Sequence, residues 1–129
     1  MNIYLDRQYP KNLARALQLL HTISKSDRFT IIYKDKKLVD LDKNNTIVFL
    51  FDPAKNGIAP TTIKHYEAGY QVFAFMTRTA DKTNLFTLSL QVLSLWKKII
   101  KIIESNRDPF VCTYGYRGMN ICQVELKEE

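Results

Sequence analysis

Asp6 and Asp52 are the residues of this chain whose type and position could best do chemistry. Each directly follows a run with the composition of a β-strand. Ile3-Tyr4-Leu5 leads into Asp6, and Thr46-Ile47-Val48-Phe49-Leu50-Phe51 leads into Asp52. In an open α/β sheet, ligands bind in the crevice outside the carboxyl ends of the strands. Two carboxylates meeting there would offer the oxygen ligands that hard divalent cations take. Such a cation polarises a phosphodiester and acidifies a bound water, so the pair implies metal-assisted phosphodiester hydrolysis. Each aspartate also has an ordinary reading, because Asp caps helices and opens turns.

The elements that must position this pair follow from periodicity and punctuation. A short strand over residues 1–5 is followed by a polar turn, and Pro10 suits the first position of a helix. The spacing predicts a helix over 11–22 with Leu13, Ala16, Leu17 and Leu20 on one face. A second β-rich run covers 29–33. The stretch 34–45 is polar, carries Asp40 and Asp42, and has room for one helical turn or a short strand at 38–41. Residues 46–51 are nearly all apolar, as in a strand covered on both faces. A short helix is expected over 61–68, ended by Gly69, then a strand over 71–76. The longest helix is expected over 85–104, burying Leu88, Val92, Leu95 and Ile99. Leu93, Trp96 and Ile100 widen that face. Two strands, over 110–114 and 121–126, would form a closing hairpin. Strands alternating with helices predict a three-layer α/β fold with a mostly parallel central sheet and a C-terminal β-hairpin.

Composition sets the outer bounds. The 129 residues suit one domain, and 46% hydrophobic with 12% aromatic residues describes a globular chain. The formal charge of +6 favours a polyanionic partner. Cys112 and Cys122 lack metal-ligand spacing, so free buried thiols are expected rather than a zinc site. No run approaches the length of a membrane span, and no membrane partner is expected. The first residues lack the pattern of a signal peptide, so the expected location is cytoplasmic. His21 and His65 each stand alone on an expected helix, where a surface or half-buried polar role is commoner than catalysis. Ser24, Ser89 and Ser94 lack a nucleophile-elbow setting, and no glycine-rich phosphate loop occurs. Tyr114, Tyr116 and Arg117 could meet RNA bases or phosphates from the last turn.

Tyr4-Leu5-Asp6 followed by Pro10-Lys11-Asn12-Leu13-Ala14-Arg15-Ala16-Leu17 resembles the start of PIN-like domains of the VapC toxin kind. The middle is similar too: an apolar strand ending in Asp52, then Lys55-Asn56, a helix through His65-Tyr66-Glu67-Ala68-Gly69, and Val72-Phe73-Ala74-Phe75. Asp108-Pro109-Phe110-Val111 after the long helix resembles the end of one subgroup. The resemblance implies a Mg²⁺- or Mn²⁺-dependent ribonuclease, the toxin half of a toxin–antitoxin pair, with an antitoxin protein as partner. Asp6 and Asp52 would be catalytic metal ligands, and Asp40 or Asp42 a further ligand. Arg7 or Lys55 could hold substrate phosphate, with Arg117 as a further RNA contact. The chain departs from the pattern in three places. Arg7 and Gln8 follow Asp6 where the family commonly has an acid and an Asn. Pro53, Ala54 and Lys55 follow Asp52 where some nucleases carry another Asp. No helix-initial acid stands between the second strand and the central one. A decayed member that binds RNA or a protein without cleaving is therefore the alternative, with weak or absent metal binding. The long helix also offers an interface, including to a second copy of the chain.

Overall fold

The computed structural model describes residues 1–23, 29–52, 58–76, 82–114 and 121–124, with the side chains of 23 and 82–84 left out. Strand β1 (Asn2–Leu5) leads through the turn at Asp6–Tyr9 into helix α1 (Lys11–Ile23) and then strand β2 (Thr30–Ile32). Short 3-10 turns at Leu38–Asp40, where one helical turn or a short strand is expected, and at Lys43–Asn45 precede strand β3 (Thr46–Asp52). Helix α2 (Pro60–Glu67), strand β4 (Gln71–Met76), helix α3 (Lys82–Ser105), strand β5 (Val111–Tyr114) and strand β6 (Cys122–Val124) complete the order. The expected α/β class and closing hairpin are found, with each boundary displaced by a few residues at most.

The strands form one sheet in the order β2-β1-β3-β4-β5-β6. Every pairing is parallel except the last, where β6 runs antiparallel to β5. The continuous apolar run of β3 is explained by its central place, with a parallel neighbour on each side and both faces covered. One face carries Ile3, Leu5, Ile31, Ile47, Phe49, Phe73 and Phe75, packed under α1 and α3. The other carries Val48, Leu50, Val72 and Val111, packed with Tyr66 of α2 and Leu38. Phe49 lies at the centre, stacked on Phe73 with centroids 4.9 Å apart.

The chain moves outward in opposite directions through α1 and α3, yet both helices lie on the same face. Their crossovers therefore have opposite hands. The α2 crossover, on the other face, shares the hand of α1. Since parallel crossovers are almost always right-handed, α3 makes the exceptional left-handed one. The result is a paired helical layer, tied where Trp96 Nε1 donates to His21 Nε2 at 3.3 Å.

Three helix positions differ from expectation. Leu20 and Leu93 share the apolar character of their neighbours but are 42% and 39% exposed. Each lies on the flank of its helix and not on the face that meets the sheet. His21, expected to be a surface or half-buried residue, is instead buried between Phe29 and Trp96. Cys112 and Cys122 are free thiols on paired strands; the first is buried as expected, whereas the second, on the edge strand β6, is exposed.

Candidate functional site

The carboxyl ends of the parallel strands form the candidate site. The sheet order places β1 beside β3, and the chain reverses direction there, so this is the topological switch point where open sheets bind ligands. Leu5 is in register with Phe49, and the Asp6 amide continues the ladder by donating to the Phe49 carbonyl at 3.0 Å. Asp6 thus lies level with Leu50, two residues short of Asp52. Strand spacing and rise put their Cα atoms about 8 Å apart. Alternation along the strands gives both the parity of Tyr4, Val48 and Leu50, the face that α2 covers.

The two carboxylates live in different surroundings. Asp6 is half-buried, and its Oδ1 accepts from the Gln8 amide at 2.9 Å, the turn that sends the chain from β1 to α1. Asp52 is fully buried. Its Oδ2 accepts from the Ala59 amide and from Thr62 Oγ1, both at 2.9 Å. Ala59 is the N-cap residue of α2 and has no side-chain oxygen with which to cap. Asp52 supplies it from the preceding strand, where the positive end of the helix favours a negative charge.

Cations share this edge. Arg7 is exposed, and its carbonyl accepts from the Tyr33 hydroxyl at 3.2 Å, which ties the β1–α1 turn to the end of β2. Lys34 follows Tyr33 with φ of 63°, a left-handed conformation uncommon outside glycine. Its Nζ lies 5.2 Å from the centre of the Tyr33 ring. Lys34 was not singled out for this site by sequence reasoning. Its signal was its place just past a parallel strand, the same signal that marked Asp6 and Asp52.

Beneath the carboxylates, the Tyr9 hydroxyl donates to the Leu50 carbonyl at 3.0 Å and lies 2.5 Å from the Tyr114 hydroxyl. Both tyrosines are buried, and burial is the main reason that both hydroxyls are held well above the ordinary phenol value. They stay neutral, and they link the β1–α1 turn, β3 and β5 under the site.

Asp40 and Asp42 are not brought to Asp6 and Asp52. Asp42 caps the 3-10 turn that enters β3, accepting from the Asn44 amide at 3.0 Å. Its carbonyl accepts from Thr46 Oγ1 at 2.7 Å, at the amino end of β3. In a strand of seven residues, that is about 20 Å from Asp52. Asp40 is exposed and follows Leu38 and Val39, which border a groove with Lys64, His65 and Ala68 near the end of α2. Lys55 and Arg117 lie outside the described residues. Among the described residues, no group of three or more His, Cys, Asp or Glu side chains is placed to hold a metal. A separate cleft of about 500 Å³ opens at the amino ends of the strands, between Met1, Thr46, Gln71 and Arg107. It mixes Lys43 and Arg107 with Glu104, and neither Asp6 nor Asp52 reaches it.

No family model, curated protein or solved structure matches the chain. No helix of the described residues is long and apolar enough to cross a membrane.

Proposed function

We propose that the carboxyl edge of the sheet acts on RNA as the site of a PIN-like, Mg²⁺- or Mn²⁺-dependent ribonuclease. The observation that carries this reading is the placement of Asp6, just past β1, and Asp52, at the end of β3, at the carboxyl ends of neighbouring parallel strands. Two carboxylates match the protein share of a Mg²⁺ site, which is completed by waters and substrate phosphate. When bound, the metal supplies a polarised phosphate and an acidified water. Arg7 and Lys34 stand where they can meet the RNA backbone, with Lys55 and Arg117 as further candidates from their sequence positions. A cleaving enzyme of this kind would be a toxin restrained by an antitoxin protein.

A second reading is favoured by one specific observation: Asp52 already gives Oδ2 to two donors at the start of α2. A carboxylate so engaged is a weaker ligand, and Arg7 beside Asp6 opposes a cation. On this reading the edge binds RNA or a protein without cleaving. Calorimetric titration with Mn²⁺, run beside an RNA cleavage assay, separates the two. The nuclease reading expects binding and cleavage that are both lost in Asp6→Asn. RNA binding that needs Arg7 and Lys34 but shows neither Mn²⁺ uptake nor cleavage would overturn it in favour of the binding module.

A further inference from the structure

The paired helices α1 and α3 leave a surface with an unusual composition. Phe86, Leu90 and Leu93 are 68%, 51% and 39% exposed and follow one another at four and three residues, a stripe along α3. Leu19 and Leu20 of α1 are 58% and 42% exposed. The side of α1 that faces away from α3 is marked by Lys11, Arg15 and Gln18, which share a groove with Ile31 and Tyr33 of the β2 edge. Ala16 and Leu20 lie on the opposite side, toward α3. Trp96 reaches His21, so the side of α3 nearest α1 carries Leu93, three residues earlier. Leu20 and Leu93 thus border one shallow groove, with Phe86, Leu90 and Leu19 on its banks.

The charged residues of the two helices have nearly one sign. Helix α1 contains Lys11 and Arg15 and no acidic residue. Helix α3 contains Lys82, Lys97, Lys98 and Lys101, and its single acid, Glu104, stands at the far end. A second copy of the chain would bring like charge against like charge. An anionic, apolar-faced partner meets both demands.

We infer that the α1–α3 groove docks an acidic amphipathic helix of another protein. The helix places apolar side chains along the 86, 90, 93 stripe and against Leu20, and its acidic flank meets Lys97 and Lys101. A stripe at four- and three-residue spacing is what a third helix packs against. An anionic membrane surface would meet the same charges. The groove lies between two ridges, however, and its rim lacks the Trp and Tyr that anchor interfacial segments.

The test uses the whole chain and a Leu/Glu amphipathic peptide, with its Leu/Lys counterpart as control. Trp96 is the chain's only tryptophan and lies under the groove, so its fluorescence reports docking without a label. The Leu/Glu peptide is expected to bind saturably and to weaken as salt shortens the screening length. Leu90→Asp with Leu93→Asp should weaken binding by about tenfold or more, since two buried leucines and two like charges are involved. These positions are exposed, so thermal melting of the variant should match that of the parent. Equal binding of the Leu/Lys peptide, or no effect of the double variant, overturns the inference. So does concentration-dependent dimerisation that the double variant abolishes, which would make a second copy the occupant. Sedimentation with phosphatidylserine vesicles, in the absence of peptide binding, would assign the surface to a membrane instead.

Discussion

At Asp52 one oxygen serves two demands. As a cap, it satisfies the Ala59 amide and the Thr62 hydroxyl, which would otherwise be left without it in a buried setting. As a metal ligand, it would need negative charge. Asparagine and alanine divide these roles. Asp52→Asn keeps an acceptor oxygen for both donors while removing the charge, so its folding stability should fall by no more than about 1 kcal/mol. Asp52→Ala removes the acceptor and strands two donors, and should cost about 2–4 kcal/mol when cap and desolvation are combined. Urea denaturation of the two variants measures the difference. Equal losses would show that the charge itself, against the positive end of α2, holds the helix. The neighbouring Asp6 has less structural work, since its one described bond closes a local turn, so Asp6→Asn is the cleaner probe of chemistry.

Helix α3 shows what sequence pattern can convey about an element and what it cannot. Leu88, Val92, Leu95, Trp96 and Ile99 are buried as their spacing predicts. Trp96 lies with its ring centre 5.9 Å from Phe49 and 5.8 Å from His21, and its Nε1 has a partner. Trp96→Ala should therefore cost about 3–5 kcal/mol, and Trp96→Phe far less, chiefly one hydrogen bond. Chemical denaturation that returned under about 1 kcal/mol for the alanine variant would mean that the helical layer is not held through this ring. Leu93 and Leu20 were legible as apolar but not as exposed, because residue type does not say which flank of a helix remains uncovered. That depends on α3 lying beside α1, a consequence of its crossover hand that no local pattern carries. β3 was legible for the opposite reason: a strand buried on both faces is apolar throughout, whatever its neighbours. The distance of Asp42 from the site was in principle legible too. A residue just before a parallel strand stands at that strand's amino end, and Asp6 and Asp52 stand at the carboxyl ends. The register that sets Asp6 two residues short of Asp52 was not, since it depends on which strands become neighbours.

At the scale of the whole molecule, three buried acids of ordinarily high pKa among the described residues are held neutral on the face that α1 and α3 cover. Burial pushes the Cys112 thiol up to about 11, with Cys122 adding to the effect. Burial also raises Tyr114 and Tyr9, the latter further through Tyr114. In each case the folded chain holds its proton to higher pH than the unfolded chain does. The stability that this represents is complete below the ordinary values and is lost as pH rises through the folded ones. Stability should thus decline from the ordinary thiol range upward, first through Cys112 and then, above the phenol range, through the tyrosine pair. The net charge of +6 falls to zero near the isoelectric point of about 9.3 and turns negative beyond it, so self-repulsion eases up to that pH and then grows, a second source of alkaline loss. Comparing variants separates the two, since Cys112→Ala and Tyr114→Phe leave every lysine in place. Urea midpoints followed from neutral pH to about 11 should fall less steeply in Cys112→Ala than in the parent, and Tyr114→Phe should flatten only the last part of the curve. If both variants track the parent through the whole range, the alkaline loss comes from charge distributed over the surface and not from the buried acids beneath the helical layer.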